Sequence, residues 1–271
     1  MIAYHELKPQ RDITAHKGSC GKIGIIAGSD LYPGAAILAA RAALRAGAGV
    51  VHVFSTPTVI SHVISCQPEL IGHPIPSGQH MCDQFESLSL DAIAIGPGLG
   101  QDPTIQQLVQ FVIAHDNRPT VIDADALNAL TSSKFSNRCP NQCILTPHLG
   151  EFRRLFGTSP EKPDDRKNHT QVAAQTTRQI VLLKGHQTTI SDGNMIHVNP
   201  TGNPGMASAG TGDVLTGIIV SLIGQGCPNL NATILGAYIH GKAGDIAYNQ
   251  FFNGLVASDI INEIASVLES L

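Results

Sequence analysis

The feature that most constrains the fold is a regular alternation of short apolar runs with helical patterns. Helical patterns lie between the runs, among them an alanine-rich one from about Gly34 to Ala46 and one beginning near Asp102. Strands that are apolar on both faces and joined by helices are typical of a mostly parallel sheet covered on both sides. The sequence therefore predicts an α/β fold of three layers. The predicted strands are Lys22–Ala27, Val50–Phe54, Asp91–Ile95, Thr120–Ile122, Cys143–Leu145 and Ile180–Lys184.

Two short segments break this alternation after the last of these strands. Gln187–Ser191 and Met195–Asn199 flank an Asp-Gly pair, which is a strong signal for a tight antiparallel hairpin. The polar stretch Ser159–Thr170 is predicted to be a loop between helices. No linker or internal repeat interrupts the chain, so we predict one domain over residues 1–271. Three further helices are predicted, at Thr211–Gly224, Asn229–Tyr248 and Ala257–Leu268.

Composition argues against several classes of protein. The chain has a net charge of −4 and no run of Lys or Arg, whereas a nucleic-acid-binding surface needs a basic stripe. No apolar stretch approaches the ~18 residues of a membrane span, and the N-terminal residues lack the apolar core of a signal peptide. We therefore expect a cytoplasmic protein that binds neither nucleic acid nor membranes. Cys139 and Cys143 have a zinc-like spacing but no second Cys or His pair, which favours free thiols.

The segment with the most chemical content is the run of small residues from Gly202 to Asp213. It reads Gly-Asn-Pro-Gly-Met-Ala-Ser-Ala-Gly-Thr-Gly-Asp, and an apolar helical pattern begins at its end. A loop of small residues that opens a helix lets several backbone N–H groups converge on one anion, and the helix dipole adds to the attraction. Asp213 falls in the first helical turn, where a carboxylate beside a phosphate can take the proton of an attacking hydroxyl. The alternative is that Asp213 only caps the helix.

Other polar and glycine-rich loops follow the predicted strands. Because ligands of parallel sheets bind outside the carboxyl ends of the strands, these loops should face one crevice. The loop Gly96–Gly100 lacks the spacing of the dinucleotide-binding fingerprint, and the chain has no P-loop. Carboxylates and amides around a phosphate site can hold Mg²⁺ through water. The polar residues at these strand ends are Asp123, Asp125, Asn128, His148, Glu151 and Lys184.

Structural roles compete with binding roles at three of these positions. Asp125 precedes a short helical pattern and is expected to be its N-cap. A lone histidine after proline, such as His148, is often structural. A lysine at a strand end, such as Lys184, is often only solvated.

The motifs, taken in this order, resemble the ADP-dependent NAD(P)H-hydrate dehydratase family, a branch of the ribokinase-like superfamily. The resemblance covers nearly the whole chain, from His16–Lys22 through Gly34–Gly49 to Asn203–Gly217. It implies a ribokinase-like three-layer fold and a stand-alone dehydratase domain. The implied activity is the ADP-dependent dehydration of (6S)-hydrated NADH or NADPH. An adenine nucleotide (ADP, or ATP in eukaryotic relatives) phosphorylates the hydroxyl of the hydrated ring, and phosphate then leaves.

The resemblance also implies roles for individual residues. Asp213 would be the catalytic base, while Asp123, Asn128 and Glu151 would support the site. Contacts with the hydrated dinucleotide are implied for Ala35, Gly98, Gly100, His148 and Asp213. Contacts with the adenine nucleotide are implied for Lys184, Gly185, His186, Gln187, Thr188, Gly210, Thr211 and Gly212.

Further expectations and one departure accompany the resemblance. It implies Mg²⁺, with metal ligands that the sequence leaves open, a homotetramer, and a separate NAD(P)H-hydrate epimerase as functional partner. The loop has Ala209 where the family is expected to have glycine, which is harmless only if the backbone φ there is negative. Two other functions stay open: a kinase of the same fold that acts on a vitamin-precursor alcohol, and a nucleotide-binding regulatory module without chemistry.

Overall fold

A computed structural model describes residues 2–75, 88–130 and 143–271. The strands of the described part form one sheet; they are β1 (Lys22–Ile26), β2 (Val50–Ser55), β3 (Ile71–Pro74), β4 (Ala92–Ile95), β5 (Thr120–Ile122), β6 (Ile144–Leu145), β7 (Ile180–Leu183), β8 (Thr189–Ser191) and β9 (Ile196–Val198). Their order is β3-β2-β1-β4-β5-β6-β7-β8-β9. Strands β1 to β7 pair in parallel, and β8 and β9 pair antiparallel. The predicted parallel sheet and C-terminal hairpin are confirmed.

The helices begin where the sequence supplies start signals. Proline opens the helices at Pro33, Pro57, Pro103 and Pro163, because its fixed φ is already helical and the first turn needs no N–H bond. The α-helices of the described part are α1 (Tyr4–Leu7), α2 (Pro33–Arg45), α3 (Pro57–Cys66), α4 (Pro103–His115), α5 (Ala124–Asn128), α6 (Leu149–Phe156), α7 (Pro163–Thr177), α8 (Thr211–Gly224), α9 (Asn229–Phe251) and α10 (Ala257–Ser270).

Each side of the sheet carries its own apolar core. On β4, Ala92 and Ala94 pack into one core while Ile93 and Ile95 pack into the other, as expected for residues that alternate across a strand. The first core is covered by α2, α3, α8, α9 and α10, and the second by α4, α5, α6 and α7. The predicted arrangement of three layers is therefore confirmed. Within the described residues, no helix combines the length and apolar character needed to cross a membrane.

Helices α2 and α8 approach each other closely. A Cβ atom added at Gly217 of α8 would lie 2.1 Å from the carbonyl oxygen of Ala39 in α2. Only glycine allows this approach of the two backbones. The contact fixes how deeply α8 packs against the sheet.

One predicted loop is wrong. Helix α7 spans Pro163–Thr177, although the sequence predicts Ser159–Thr170 to be a loop. The buried positions of this helix include Arg166, Thr170 and Thr177 besides two alanines, so the apolar periodicity that reveals other helices is absent. The short edge strand β3 and helix α3 were also missed.

The contact at Gly217 yields a stability prediction. We expect Gly217→Ala to lower the free energy of unfolding by about 1–3 kcal/mol, because the added methyl group overpacks the contact between α2 and α8. Gly34→Ala, in α2, is the control, since a Cβ there meets no atom within 4 Å. It should raise stability by roughly 0.5–1 kcal/mol through helix propensity. Urea unfolding of both variants measures the difference, and equal effects would contradict the packing argument.

Candidate active site

The loops after five parallel strands meet at one edge of the sheet. The Gly28 amide after β1 donates to the Pro97 carbonyl after β4 over 2.8 Å. A Cβ atom at Gly96 would lie 1.8 Å from the Asp123 carbonyl after β5, so these loops touch through their backbones. The Lys184 amide after β7 donates to the Pro147 carbonyl after β6 over 2.8 Å. The structure thus brings the predicted strand-end loops together.

Helix α8 begins at this edge without a side-chain cap. Its N-cap is Gly210, whose φ of 87° favours glycine and whose added Cβ would lie 2.4 Å from Leu38. The first bond of the helix runs from the Val214 amide to the Gly210 carbonyl. Among the described residues, the amides of Thr211, Gly212 and Asp213 therefore donate to no protein acceptor. This bare helix start is suited to an anion, as the sequence predicts.

Hydrogen bonds to α9 and within the loop hold the small-residue loop before α8 in place. The Asp245 carboxylate accepts bonds from the Gly202 amide at 3.1 Å and from Asn203 Nδ2 at 2.9 Å. The Thr211 hydroxyl bonds back to the carbonyl oxygen of Ser208 at 3.0 Å. The φ of Ala209 is not positive, so its methyl group introduces no backbone strain.

Asp213 is not the helix cap, because it is the third residue of α8 and Gly210 holds the cap position. Burial raises its pKa to about 7 from the ordinary value of 3.8. This value is the net result: burial contributes most, the carboxylates of Asp123 and Asp125 also raise the pKa, and the Lys184 ammonium lowers it. A carboxyl group with a pKa near 7 is suited to exchange a proton with a bound ligand.

A buried ion pair lies beside Asp213. Lys184 Nζ lies 2.6 Å from Asp123 Oδ1 and 3.7 Å from Glu151 Oε2. The other Asp123 oxygen accepts from the Thr216 hydroxyl of α8 at 2.8 Å. Burial alone would lower the pKa of Lys184, but the two carboxylates outweigh it and raise that pKa. The ammonium is therefore charged, and it lies against the start of α8, 3.4 Å from where a Cβ of Gly212 would be.

His148 and Glu151 cap helix α6 reciprocally. His148 Nδ1 accepts from the Gly150 amide at 2.9 Å, and Glu151 Oε2 accepts from the His148 amide at 2.7 Å. His148 Nε2 lies 3.2 Å from Glu151 Oε1, and the histidine side chain stays 53% exposed. The ring is thus a structural cap that still reaches the crevice. Asn128 accepts a bond from Arg154 Nε at 2.9 Å and ties α5 to α6.

The glycines after β4 lie against α2 and α5. A Cβ atom at Gly98 would lie 2.7 Å from the Ala35 methyl group, so these two predicted substrate contacts are neighbours. The Gly100 amide donates to Asp125 Oδ2 at 2.9 Å. The predicted N-cap role of Asp125 is wrong, because Asp123 holds the cap position of α5 and Asp125 lies in the first turn. Its carboxylate orders the glycine loop instead.

The predicted nucleotide segment forms a tight exposed turn. Gly185, His186 and Gln187 are exposed, and Thr188 donates its hydroxyl to the Gly185 carbonyl at 3.0 Å. Gly185 has a φ of 140°, and Gln187 has a φ of 55° that is uncommon for a residue with a side chain.

Two residues that contact this site were missed by the sequence analysis. They are Thr216, inside an apolar helix, and Arg166, inside the segment taken for a loop. No motif in the sequence marks either of them.

No group of three potential metal ligands (His, Cys, Asp or Glu) lies together in the described part of the chain. Mg²⁺ is usually held by one or two carboxylates together with substrate phosphates and water. Asp123 and Asp125 lie close enough to Asp213 to raise the pKa of its carboxyl group, and neighbouring carboxylates of this kind fit that mode of binding. Cys139 lies outside the described residues, and Cys143 is buried.

Comparison with known proteins identifies the family. A family model described as NAD(P)H-hydrate dehydratase matches residues 23–266. The bifunctional NAD(P)H-hydrate repair enzyme of Moorella thermoacetica is 40% identical over 97% of this chain and 52% of its own length. The chain thus spans about half the length of the curated relatives of this kind. The ADP-dependent (S)-NAD(P)H-hydrate dehydratase of Neisseria meningitidis is 36% identical over 93% of this chain and 84% of its own.

Comparison with solved structures supports the same family and fold. The ADP/ATP-dependent NAD(P)H-hydrate dehydratase of Bacillus subtilis, crystallised with ATP and Mg²⁺, has a TM-score of 0.86 and 31% identity, covering 98% of this chain and 95% of its own. A ribokinase-like superfamily protein of Enterococcus faecalis has a TM-score of 0.86 and 28% identity, covering 98% and 93%. The predicted ribokinase-like fold is confirmed. With a matching model over most of its length and relatives above 30% identity, the chain belongs to the NAD(P)H-hydrate dehydratase family.

Proposed function

We propose that this protein dehydrates (6S)-hydrated NADH and NADPH at the expense of an adenine nucleotide. The observation that carries the proposal is the pairing of a bare helix start at Thr211–Asp213 with a carboxyl group whose pKa is raised to about 7. The free amides suit a transferring phosphoryl group, and the carboxylate suits the hydroxyl that attacks it. The relatives named for this reaction support the same substrates.

The first step is phosphoryl transfer to the ring hydroxyl. Asp213 takes the hydroxyl proton, and the freed oxygen forms a bond to the terminal phosphorus of ADP while the bond between that phosphorus and the bridging oxygen breaks. AMP leaves with the electron pair. The amides of Thr211 and Gly212 and the Lys184 ammonium offset the charge on the transferring group.

The second step is loss of phosphate. The phosphorylated oxygen is attached to the carbon beside the ring nitrogen, and the nitrogen lone pair expels it as inorganic phosphate. The departing phosphate or water then takes a proton from the neighbouring ring carbon, and the double bond of NADH or NADPH is restored. This step needs no second dedicated acid, so His148 and Glu151 position the site and its ligands without transferring a proton.

The two substrates are assigned to different parts of the crevice. The hydrated dinucleotide contacts Ala35, Gly98, Gly100 and His148, while the adenine nucleotide lies on the turn of residues 184–188 and on Gly210–Gly212. Mg²⁺ would be held by nucleotide phosphates, with water and the carboxylates of Asp123 and Asp125 beside it, and would supply positive charge to the phosphates. ADP is the proposed donor, with ATP as the alternative.

The setting of the reaction is part of the proposal. We infer that residues 1–271 form one domain, that the protein acts in the cytoplasm as a homotetramer, and that a separate epimerase supplies the S form of the hydrate. Neither nucleic acid nor a membrane is a partner in this scheme.

The fate of phosphate tests the proposed function. With ADP and hydrated NADH, we expect NADH and inorganic phosphate to appear in equal amounts, and no phosphorylated dinucleotide to accumulate, because the ring nitrogen expels the ester. A quenched time course with both products quantified against AMP measures this. A stable phosphoester on a vitamin-precursor alcohol, with the hydrate untouched, would overturn the proposal in favour of a kinase. Nucleotide binding without turnover would favour a regulatory module.

Asp213→Asn tests the base directly. We expect turnover to fall by ~10² or more, with ADP affinity close to that of the wild type, because only proton transfer is lost. In the wild-type enzyme kcat/KM should rise with pH through about 7, where Asp213 ionises. A variant that keeps most of its activity would show that Asp213 is not the base.

The same variant tests the raised pKa by a stability measurement. The carboxyl pKa is about 7 in the folded protein and near its ordinary 3.8 in the unfolded chain. Ionisation therefore costs no stability below about pH 4, and the cost grows from there to about pH 7. Because asparagine cannot ionise, Asp213→Asn should have a higher Tm than the wild type at pH 8 and an equal Tm near pH 4. A constant difference across this range would contradict the raised pKa.

A further inference from the structure

Arg166, in α7, is a buried cation that is 5% exposed. Among the described residues, no carboxylate lies within ion-pair distance of it, and its Nε has no hydrogen-bond partner. Buried charges are normally paired, because their desolvation is costly. An arginine kept in such a place needs an explanation beyond packing.

The guanidinium contacts the backbone of the proposed nucleotide turn. Arg166 NH2 donates to the carbonyl oxygens of Leu183 at 3.1 Å and of Lys184 at 3.0 Å. A Cβ atom added at Gly185 would lie 3.0 Å from NH2 and 3.2 Å from NH1, so the guanidinium packs directly against this glycine. With a φ of 140°, Gly185 also has a backbone conformation that other residues rarely adopt.

These two bonds fix which way the neighbouring amide points. In a trans peptide the C=O and the following N–H point in opposite directions, and none of the peptide bonds between described residues is cis. Holding the Lys184 carbonyl on Arg166 therefore turns the Gly185 amide away from the buried guanidinium. Among the described residues that amide donates to no protein acceptor. It is a free donor on an exposed turn.

We propose that Arg166 is a positioning residue for the adenine nucleotide: by holding the Leu183 and Lys184 carbonyls from the buried side, it presents the Gly185 amide to the ligand. This inference rests on the proposed function, since it assumes that the turn of residues 184–188 binds the nucleotide. The positive charge of Arg166, which no carboxylate of the described residues pairs with, adds to that of Lys184 and complements the phosphates. Arg166 does not touch the reacting atoms.

Arg166→Met tests the proposal. Methionine keeps an unbranched apolar stem like that of arginine and leaves no buried charge, so the variant should fold with a Tm close to or above that of the wild type without nucleotide. We expect KM for ADP to rise about tenfold or more, because a charge-assisted contact and a preset amide are lost. KM for hydrated NADH and kcat should stay within about twofold. Calorimetric titration with ADP should show the same loss of affinity without turnover.

Two further variants serve as a control and a graded change. Lys167→Met removes a positive charge from the next residue of α7, whose side chain is 43% exposed and pairs with exposed Asp164, and it should leave both KM values unchanged. Arg166→Lys keeps the charge but not the planar fork that holds two carbonyls, so it should lie between wild type and Arg166→Met. If Arg166→Met does not fold, Arg166→Lys carries the test.

The outcomes separate this inference from the proposed function. A lower Tm with an unchanged KM for ADP would show that Arg166 is only structural and would overturn the inference, while wild-type repair activity would leave the proposed function standing. Equal increases in both KM values would also overturn it. If the wild type shows no ADP-dependent recovery of NADH, the proposed function fails first.

Discussion

The buried carboxylate of Asp123 joins the parts of the molecule on which the site depends. Asp123 follows β5. Its carboxylate accepts one hydrogen bond from the Lys184 ammonium at the end of β7 and another from the Thr216 hydroxyl inside α8. One side chain thus ties the sheet to the helix that lies over it. Because the close contact at Gly217 fixes the depth of the same helix, the start of α8 cannot shift along the edge of the sheet.

The electrostatics of Asp213 follow from this arrangement. Asp123 is already engaged by Lys184, so the cation is shared and Asp213 lies in a buried place with carboxylates for neighbours. Burial and these neighbours raise its pKa until the group can ionise near neutral pH. Within the part of the chain that the structure describes, the amides at the start of α8 have no protein acceptor. The protein therefore combines donors for an anion with an acceptor for a proton in one helical turn.

Local patterns predict much of this structure, and the failures have physical causes. Strands β1 to β7 other than β3 are visible because residues facing either core are apolar, and Asp213 is visible because small residues precede an apolar helix. Helix α7 is hidden because its inward face carries Arg166 and threonines, which have no apolar period. The bond between Asp125 and Gly100 joins residues that folding brings together, so spacing alone does not reveal it. The cap formed by His148 is local, but histidine is not among the residues that usually cap a helix.

The central claim is that the hydroxyl oxygen of the hydrated ring attacks phosphorus and leaves as part of phosphate. Hydrated NADH that carries ¹⁸O in this hydroxyl tests it most directly. The enzyme is incubated with this substrate and unlabelled ADP, and the mass of the released phosphate is measured. The account predicts that each molecule of inorganic phosphate formed during repair carries one ¹⁸O atom. Unlabelled phosphate, with the ¹⁸O recovered in water, would contradict it, because the hydroxyl would then have left without bonding to phosphorus.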